Sequence, residues 1–165
     1  MTTKQTEFFL NEYLQAVTLL TEDGNLEKIS EKVRAWRNII DTSVDHMDLL
    51  EDLRRLLSTR IVLKSGQIQQ GIEQLLEKPT SKDNFILAEA HFIRGLFYFQ
   101  TEQTVLGISE FDKAWPLYLA AEKFEKSLLS RYNSYVGRVN CGAVTVLDEH
   151  EILSELEREA LKIKS

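Results

Sequence analysis

The sequence predicts an all-α fold built from about four antiparallel helical hairpins. Its 165 residues include only seven glycines and two prolines, the residue types that interrupt helices most strongly. Apolar residues recur at helical spacing over long stretches, as Ala88, Phe92 and Phe99 do. Short polar segments separate such stretches, for example Gly66–Gln70 and Thr80–Asp83. Together these features favour helices joined by tight turns.

Four helices are predicted before residue 79. Gly24 would end the first as a C-cap, and Asp41, Thr42 and Ser43 are N-cap candidates for the third. Pro79 stops the fourth because proline lacks the N–H that a helix interior needs. The predicted helices are Gln5–Asp23, Asn25–Ile40, a third that follows the cap candidates to about Ser65, and Gln67–Lys78.

Four more helices are predicted in the second half. Pro116 comes late in the sixth, where it either kinks the helix or begins a new turn. The stretch Tyr135–Leu147 is rich in β-branched residues and favours a strand by propensity, but the repeat register predicts a helix. The predicted ranges are Asn84–Thr101, a sixth helix from Glu102, Phe124–Leu147 and Glu149–Ile163.

Composition limits the classes of function. The formal charge of −6 disfavours nonspecific nucleic-acid binding, which needs a basic face. The single cysteine, Cys141, cannot form an intramolecular disulfide, so we expect a reducing compartment and a core position for its side chain. The N-terminus lacks the apolar segment of a signal peptide, and no apolar run reaches the roughly 20 residues that span a bilayer. We therefore expect a cytoplasmic protein with no membrane or nucleic-acid partner.

A pattern of small and aromatic residues surrounds the expected turn at Glu102. Gly95, Tyr98, Gly107, Phe111 and Ala114 follow a small–aromatic–small–aromatic–small order. This pattern resembles the tetratricopeptide repeat (TPR) in register, although His91 and Arg94 stand at the family's tryptophan and leucine positions. The resemblance implies a right-handed superhelix. Residues 1–165 would form one TPR-like domain, with N-terminal hairpins in 1–78 and TPR-like hairpins in 84–165.

A similar spacing of residues can be found around other expected turns. It fits around Gly24 and Gly66, and less well around Glu149. We therefore place the four expected hairpin turns at Gly24, Gly66, Glu102 and Glu149.

Longer stretches resemble a narrower family. Leu10–Val17 and Asp45–Leu63 are similar to the N-terminal helical bundle of Rap proteins, the response-regulator aspartate phosphatases and peptide sensors of bacilli. The segment Ala88–Thr104 and the later Ala114–Tyr118 resemble the first repeats of that family. The resemblance implies a short relative whose bundle contacts a response regulator and whose repeats hold a signalling peptide.

The phosphatase motif of that family is mostly replaced. Without gaps its five positions fall on Thr42, Ser43, Val44, Asp45 and His46, and only Asp45 is kept. The sequence therefore favours a non-catalytic protein- or peptide-binding regulator. One alternative is a phosphatase that positions water with Asp45 and His46, and another is a scaffold or assembly module.

The resemblance also implies binding residues, because the first helix of each TPR pair lines the concave groove. Asparagine and glutamine can satisfy both the N–H and the C=O groups of an extended peptide. Arg60 and Lys64 can hold a carboxylate, Arg60 through its planar fork. The candidate binding residues are Asn11, Gln15, Arg60, Lys64, Glu89 and Asn140.

Other kinds of site have no pattern in the sequence. The three histidines show no metal-ligand spacing, and no phosphate-binding glycine loop occurs, so we expect no metal and no cofactor. The last helix keeps an apolar side that includes Leu153, Leu156 and Leu161. Since a repeat array must cover its terminal apolar face, this helix is a candidate homodimer contact.

Overall fold

A computed structural model describes residues 1–22, 25–45, 47–75, 79–143 and 146–164. Within these residues the chain forms eight α-helices and no strand, so the prediction of an all-α fold is confirmed. The chain divides into two compact units, Met1–Ile86 and Leu87–Ser165. The helices are α1 (Thr3–Glu22), α2 (Leu26–Thr42), α3 (Asp48–Lys64), α4 (Ile68–Leu75), α5 (Asn84–Gln100), α6 (Thr104–Ala120), α7 (Phe124–Asn140) and α8 (Val146–Lys164).

Side-chain caps fix where several helices begin. Thr2 and Gln5 bond reciprocally at the start of α1: the Gln5 N–H donates to Thr2 Oγ1 at 3.2 Å, and the Thr2 N–H donates to Gln5 Oε1 at 2.9 Å. Asn25 accepts the Lys28 N–H at the start of α2. Asp83 Oδ1 accepts the Phe85 N–H at 2.9 Å at the start of α5. Each cap satisfies backbone donors that a helix leaves unpaired.

The third helix begins later than predicted. Helix α2 continues through Asp41 to Thr42, so these residues do not cap α3 as expected. Ser43 instead ends α2 in an extended conformation, and Met47 precedes the first helical residue, Asp48. The predicted ends of the first and fourth helices, at Asp23–Gly24 and at Lys78, lie outside the described residues.

Four helix–helix turns share one hydrogen-bonding pattern. After α5, Glu102 has a φ of 61°, its N–H donates to the Phe99 carbonyl at 3.2 Å, and the Gln103 N–H donates to the Tyr98 carbonyl at 2.9 Å. This is a Schellman motif, which satisfies the last carbonyls of a helix. The motif recurs with positive φ at Gly66, Glu122 and Gly142.

These turns correct the predicted hairpin boundaries. Helix α7 ends at Asn140 and does not continue to Leu147, because Gly142 adopts φ 69° and the chain turns there. The turn expected at Glu149 is therefore wrong, since Glu149 lies inside α8. Cys141 belongs to this turn and is exposed, so its predicted core position is also wrong. Pro116 does not begin a new turn, since α6 continues through it to Ala120.

The first unit packs α1 to α4 around leucine and aromatic side chains. Tyr13 and Leu50 are fully buried, and Trp36 is 4% exposed. Asp52 is also buried, and its two carboxylate oxygens accept the backbone N–H groups of Thr80 and Ser81 at 2.9 and 2.6 Å. These bonds offset the cost of burying a carboxylate and hold the segment that follows Pro79.

The second unit depends on glycine contacts between helices. A Cβ on Gly95 of α5 would lie 2.8 Å from the Phe111 ring of α6, and one on Gly107 of α6 would lie 2.3 Å from the Phe99 ring of α5. Both glycines therefore allow α5 and α6 to approach each other closely. Helix α7 continues the pattern, because its buried positions include Ser127, Ser130, Ser134 and Gly137. Small residues on α7 therefore allow it to approach α6 closely.

Candidate functional site

The candidate residues of the first unit lie at different depths. Asn11 and Gln15 are exposed on α1, one helical turn apart, and Lys64 is exposed at the end of α3. Arg60 is only 9% exposed, and its Nε donates to the hydroxyl of buried Tyr13 at 3.2 Å. Arg60 therefore joins α3 to α1 inside the unit, whereas the other three side chains are available at its surface.

The candidate residues of the second unit also differ in burial. Glu89 is fully buried, and its carboxylate accepts hydrogen bonds from the Tyr118 hydroxyl and from Lys126 Nζ, the latter at 2.9 Å. Asn140 is exposed at the last position of α7. The Glu89 carboxylate thus connects α5, α6 and α7, and its role in binding a peptide stays a prediction.

A groove between α7 and α8 is the strongest candidate for a binding surface. It has a volume of about 470 Å³, and nearly all of its lining is apolar. Leu129 and Tyr132 of α7 are 46% and 49% exposed, and Leu153 of α8 is 37% exposed. Its lining residues are Glu125, Leu128, Leu129, Tyr132, Leu153, Leu156, Glu157, Ala160 and Ile163.

The charged groups of this groove, which we call the α7–α8 groove, have one sign. Glu125 and Glu157 are the charged residues of its lining, and both are exposed. Apolar side chains bordered by carboxylates favour a ligand that has apolar anchors and basic neighbours.

Ion pairs fasten α7 to α8 beside the groove. Arg131 of α7 pairs with Glu155 Oε1 at 2.8 Å and also with Glu159. Burial alone would lower the pKa of Arg131. The pairs with Glu155 and Glu159 have the larger effect and raise the pKa. The Arg131 guanidinium also lies 5.0 Å from the centre of the Trp115 ring of α6. Arg131 therefore connects three helices and holds one wall of the groove in place.

Arg131 also lines a second cleft. This cleft has a volume of about 360 Å³. Leu119 and Phe124 in its lining are 48% and 51% exposed. The cleft carries both charge signs, since Arg131, Glu159 and Lys162 line it. It is therefore less selective by charge than the α7–α8 groove.

Sequence reasoning found half of the α7–α8 groove. Leu153 and Leu156 mark the apolar side of the last helix in the sequence, and that side predicts a homodimer contact. The α7 half was missed, because Leu129 and Tyr132 fit the helical spacing of core residues equally well. The sequence signal that could have indicated this half is Gly142, the glycine at which the chain turns so that α8 folds back beside α7.

In the parts of the chain that the structure describes, no group of three or more His, Cys, Asp or Glu residues is placed to hold a metal ion. Asp45 is exposed between α2 and α3, and His46 lies outside the described residues. Across the described helices, none is both long enough and apolar enough to cross a membrane.

The chain matches no protein-family model, no curated protein and no solved structure.

Proposed function

We propose that this chain is a non-catalytic regulator that binds a protein or peptide segment, similar in kind to a short Rap-type TPR sensor. The observation that carries the proposal is the α7–α8 groove, where large apolar side chains stay exposed between two carboxylates. The proposed ligand is an amphipathic segment whose apolar residues enter the groove and whose Lys or Arg residues approach Glu125 and Glu157. A cytoplasmic location is part of this proposal.

The groove is large enough for such a segment to bind at useful affinity. Burying one large apolar side chain contributes about 1.5–3 kcal/mol. Three anchors therefore approach the roughly 8 kcal/mol of a micromolar complex, before the costs of association are subtracted. Pairing with the two exposed glutamates adds less energy but selects basic ligands and speeds their encounter.

A peptide-display selection tests this proposal. Random helical peptides would be selected against the whole chain and sequenced after several rounds. We expect enrichment of apolar residues at spacings of three and four, with Lys or Arg beside them. An absence of enrichment, or enrichment of acidic peptides, would contradict the proposal.

Self-association through α8 is a second candidate. Leu161 is 68% exposed on α8, and Leu153 is also partly exposed. A symmetric pair would bring the carboxylates of Glu125 and Glu157 toward their own copies, which opposes it. Sedimentation equilibrium distinguishes the two: a dimer that Leu161→Lys dissociates would support self-association, and a monomer at high concentration would exclude it.

A further inference from the structure

Three arginines line one pocket of the first unit. Arg37 extends from α2, and Arg54 and Arg55 extend from α3. The pocket has a volume of about 270 Å³ and is mostly polar. Its other lining residues are Ser58, Thr59 and Gln74. Three helices of one unit thus direct side chains with hydrogen-bond donors into the same small space.

Arg54 is held in position by a carboxylate. Its Nε donates to Glu51 Oε2 at 3.0 Å, and its Nη2 donates to Glu51 Oε1 at 2.6 Å. This hydrogen bonding lowers the pKa of Glu51 and raises the pKa of Arg54, so both stay charged near neutral pH. The pair fixes the plane of the guanidinium and leaves its Nη1 edge outside this two-point contact.

The pocket holds two more positive charges besides that of Arg54. Arg55 Nη1 lies 3.9 Å from Asp52 Oδ1, and the Asp52 oxygens already accept two backbone N–H groups. Arg37 is exposed, and its charge helps to lower the pKa of Glu51, while the charge of Asp41 helps to raise the pKa of Arg54. Guanidinium groups that share a pocket repel one another, and an anion removes that repulsion. This basic pocket occurs in a chain whose formal charge is −6.

Neutral donors accompany the charges. Thr59 Oγ1 donates to the Arg55 carbonyl at 2.8 Å, and it also lies 3.4 Å from Gln74 Oε1. With its oxygen turned toward Thr59, Gln74 has its amide nitrogen left to donate. Ser58 adds a hydroxyl one turn after Arg54 on α3.

We propose that this pocket binds a phosphate monoester. Such a group carries nearly two negative charges and three acceptor oxygens, which match several guanidinium edges at once. A carboxylate has only two oxygens, and Glu51 already supplies one carboxylate to Arg54. The monoester is supplied either by a phosphorylated side chain of a partner protein or by a small phosphorylated metabolite.

The proposal is tested by NMR titration of the whole chain with O-phosphoserine and, separately, with acetate. We expect saturable shifts in the side-chain N–H signals of Arg54 and Gln74 with O-phosphoserine, and none that saturate with acetate. The affinity should fall between pH 7.5 and pH 5, because the monoester loses its second charge near pH 6.

Two charge variants on the same helix make the test specific. Arg37→Gln removes a pocket residue, whereas Arg34→Gln removes an exposed charge one turn earlier. We expect Arg37→Gln to weaken binding about tenfold, the loss of one charge-assisted hydrogen bond, and Arg34→Gln to change it less than about twofold. Equal weakening in both variants, equal binding of acetate, or no saturation would overturn the proposal.

A comparison of ligands then identifies the source of the phosphate. Tighter binding of phosphoserine within a peptide than of free O-phosphoserine would assign the pocket to a phosphoprotein. Equal or weaker binding of the peptide would assign it to a small phosphate ester.

Discussion

The ring of Phe99 on α5 fills the space that a side chain on Gly107 of α6 would need. A Cβ built on Gly107 would lie 2.3 Å from Cδ1 of Phe99, and 3.3 Å from the carbonyl oxygen of Gly95. A Cβ on Gly137 of α7 would lie 2.8 Å from the same ring. Helices from two successive hairpins therefore approach one aromatic ring. These contacts position α7, which forms one side of the α7–α8 groove.

Replacing Gly107 should destabilise the protein despite the better helix propensity of alanine. Alanine gains about 1 kcal/mol in a helix interior, but overpacking a closed contact costs about 1–3 kcal/mol. Since the clash is with an aromatic ring and lies close to backbone, we expect Gly107→Ala to lower the free energy of unfolding by about 1–2 kcal/mol. Urea denaturation measures it.

Matched variants show whether the Phe99 ring is the cause. Ser109→Ala changes an exposed position on the same helix and should be nearly neutral. Phe99→Leu added to Gly107→Ala should cost less than the sum of the two single changes, because the smaller side chain leaves room for the methyl group. Additive costs would contradict the proposed contact.

The turn glutamates offer a stabilising change. Glu102 and Glu122 have φ values of 61° and 58°, a conformation that costs a residue with a Cβ about 1–2 kcal/mol. Glu102→Gly should therefore raise the free energy of unfolding by about 1 kcal/mol, after the larger backbone entropy of glycine is allowed for. Glu102→Ala keeps the strain and should not stabilise. Equal effects of glycine and alanine in thermal denaturation would argue against a strained turn.

The buried Glu89 should depend on Lys126. Removing one partner of a buried ion pair leaves a charge uncompensated, which costs about 3–5 kcal/mol. Lys126 is about one-quarter exposed, so we expect Lys126→Met to cost about 3 kcal/mol, the lower end of that range. Adding Glu89→Gln should recover part of the loss. If Glu89→Gln makes Lys126→Met worse in chemical denaturation, the pair does not stabilise the fold in this way.

Glu110 should make stability depend on pH. Burial alone would raise the pKa of the Glu110 carboxyl. The 2.7 Å contact with His91 Nδ1 and the charges of Arg94 and Lys113 together have the larger effect and lower the pKa. The stabilisation is therefore present above the ordinary glutamate pKa of about 4.3 and is lost as the pH falls through the folded-state value. The free energy of unfolding should fall less below pH 5 for Glu110→Gln than for wild type. Parallel curves for the two proteins would contradict this role.

The packing of α5 against α6 could be predicted from the sequence because it depends on small and large residues at fixed spacings. Gly95, Gly107 and Phe111 have the spacings of closely packed helices, and the structure places Gly95 against the Phe111 ring and Gly107 against the Phe99 ring. The turn at Glu102 followed from the same spacing. Local pattern and tertiary contact agree here, which makes the sequence informative.

Other features depend on contacts that no local pattern encodes. A glutamate in an amphipathic helix is usually solvated, so nothing in the sequence marks Glu89 as buried. Its hydrogen bonds to Tyr118 and Lys126, on two other helices, help to explain its position. The boundary at Asn140 was missed although Asn140 and Gly142 are typical helix-end residues, because the repeat register predicts a helix that continues through them. Arg60 similarly fits an open groove by type but bonds Tyr13 inside the first unit.

The binding role of the α7–α8 groove is tested most directly by the affinity of a selected peptide for two matched variants. Leu129→Asp places a charge in the groove, and Leu106→Asp places the same charge on α6 at a position of nearly equal exposure, 47% against 46%. Isothermal titration should show wild-type affinity for Leu106→Asp and a loss of about tenfold or more for Leu129→Asp, since one apolar anchor contributes about 1.5–3 kcal/mol. Equal affinity of the two variants would contradict the assignment of peptide binding to this groove.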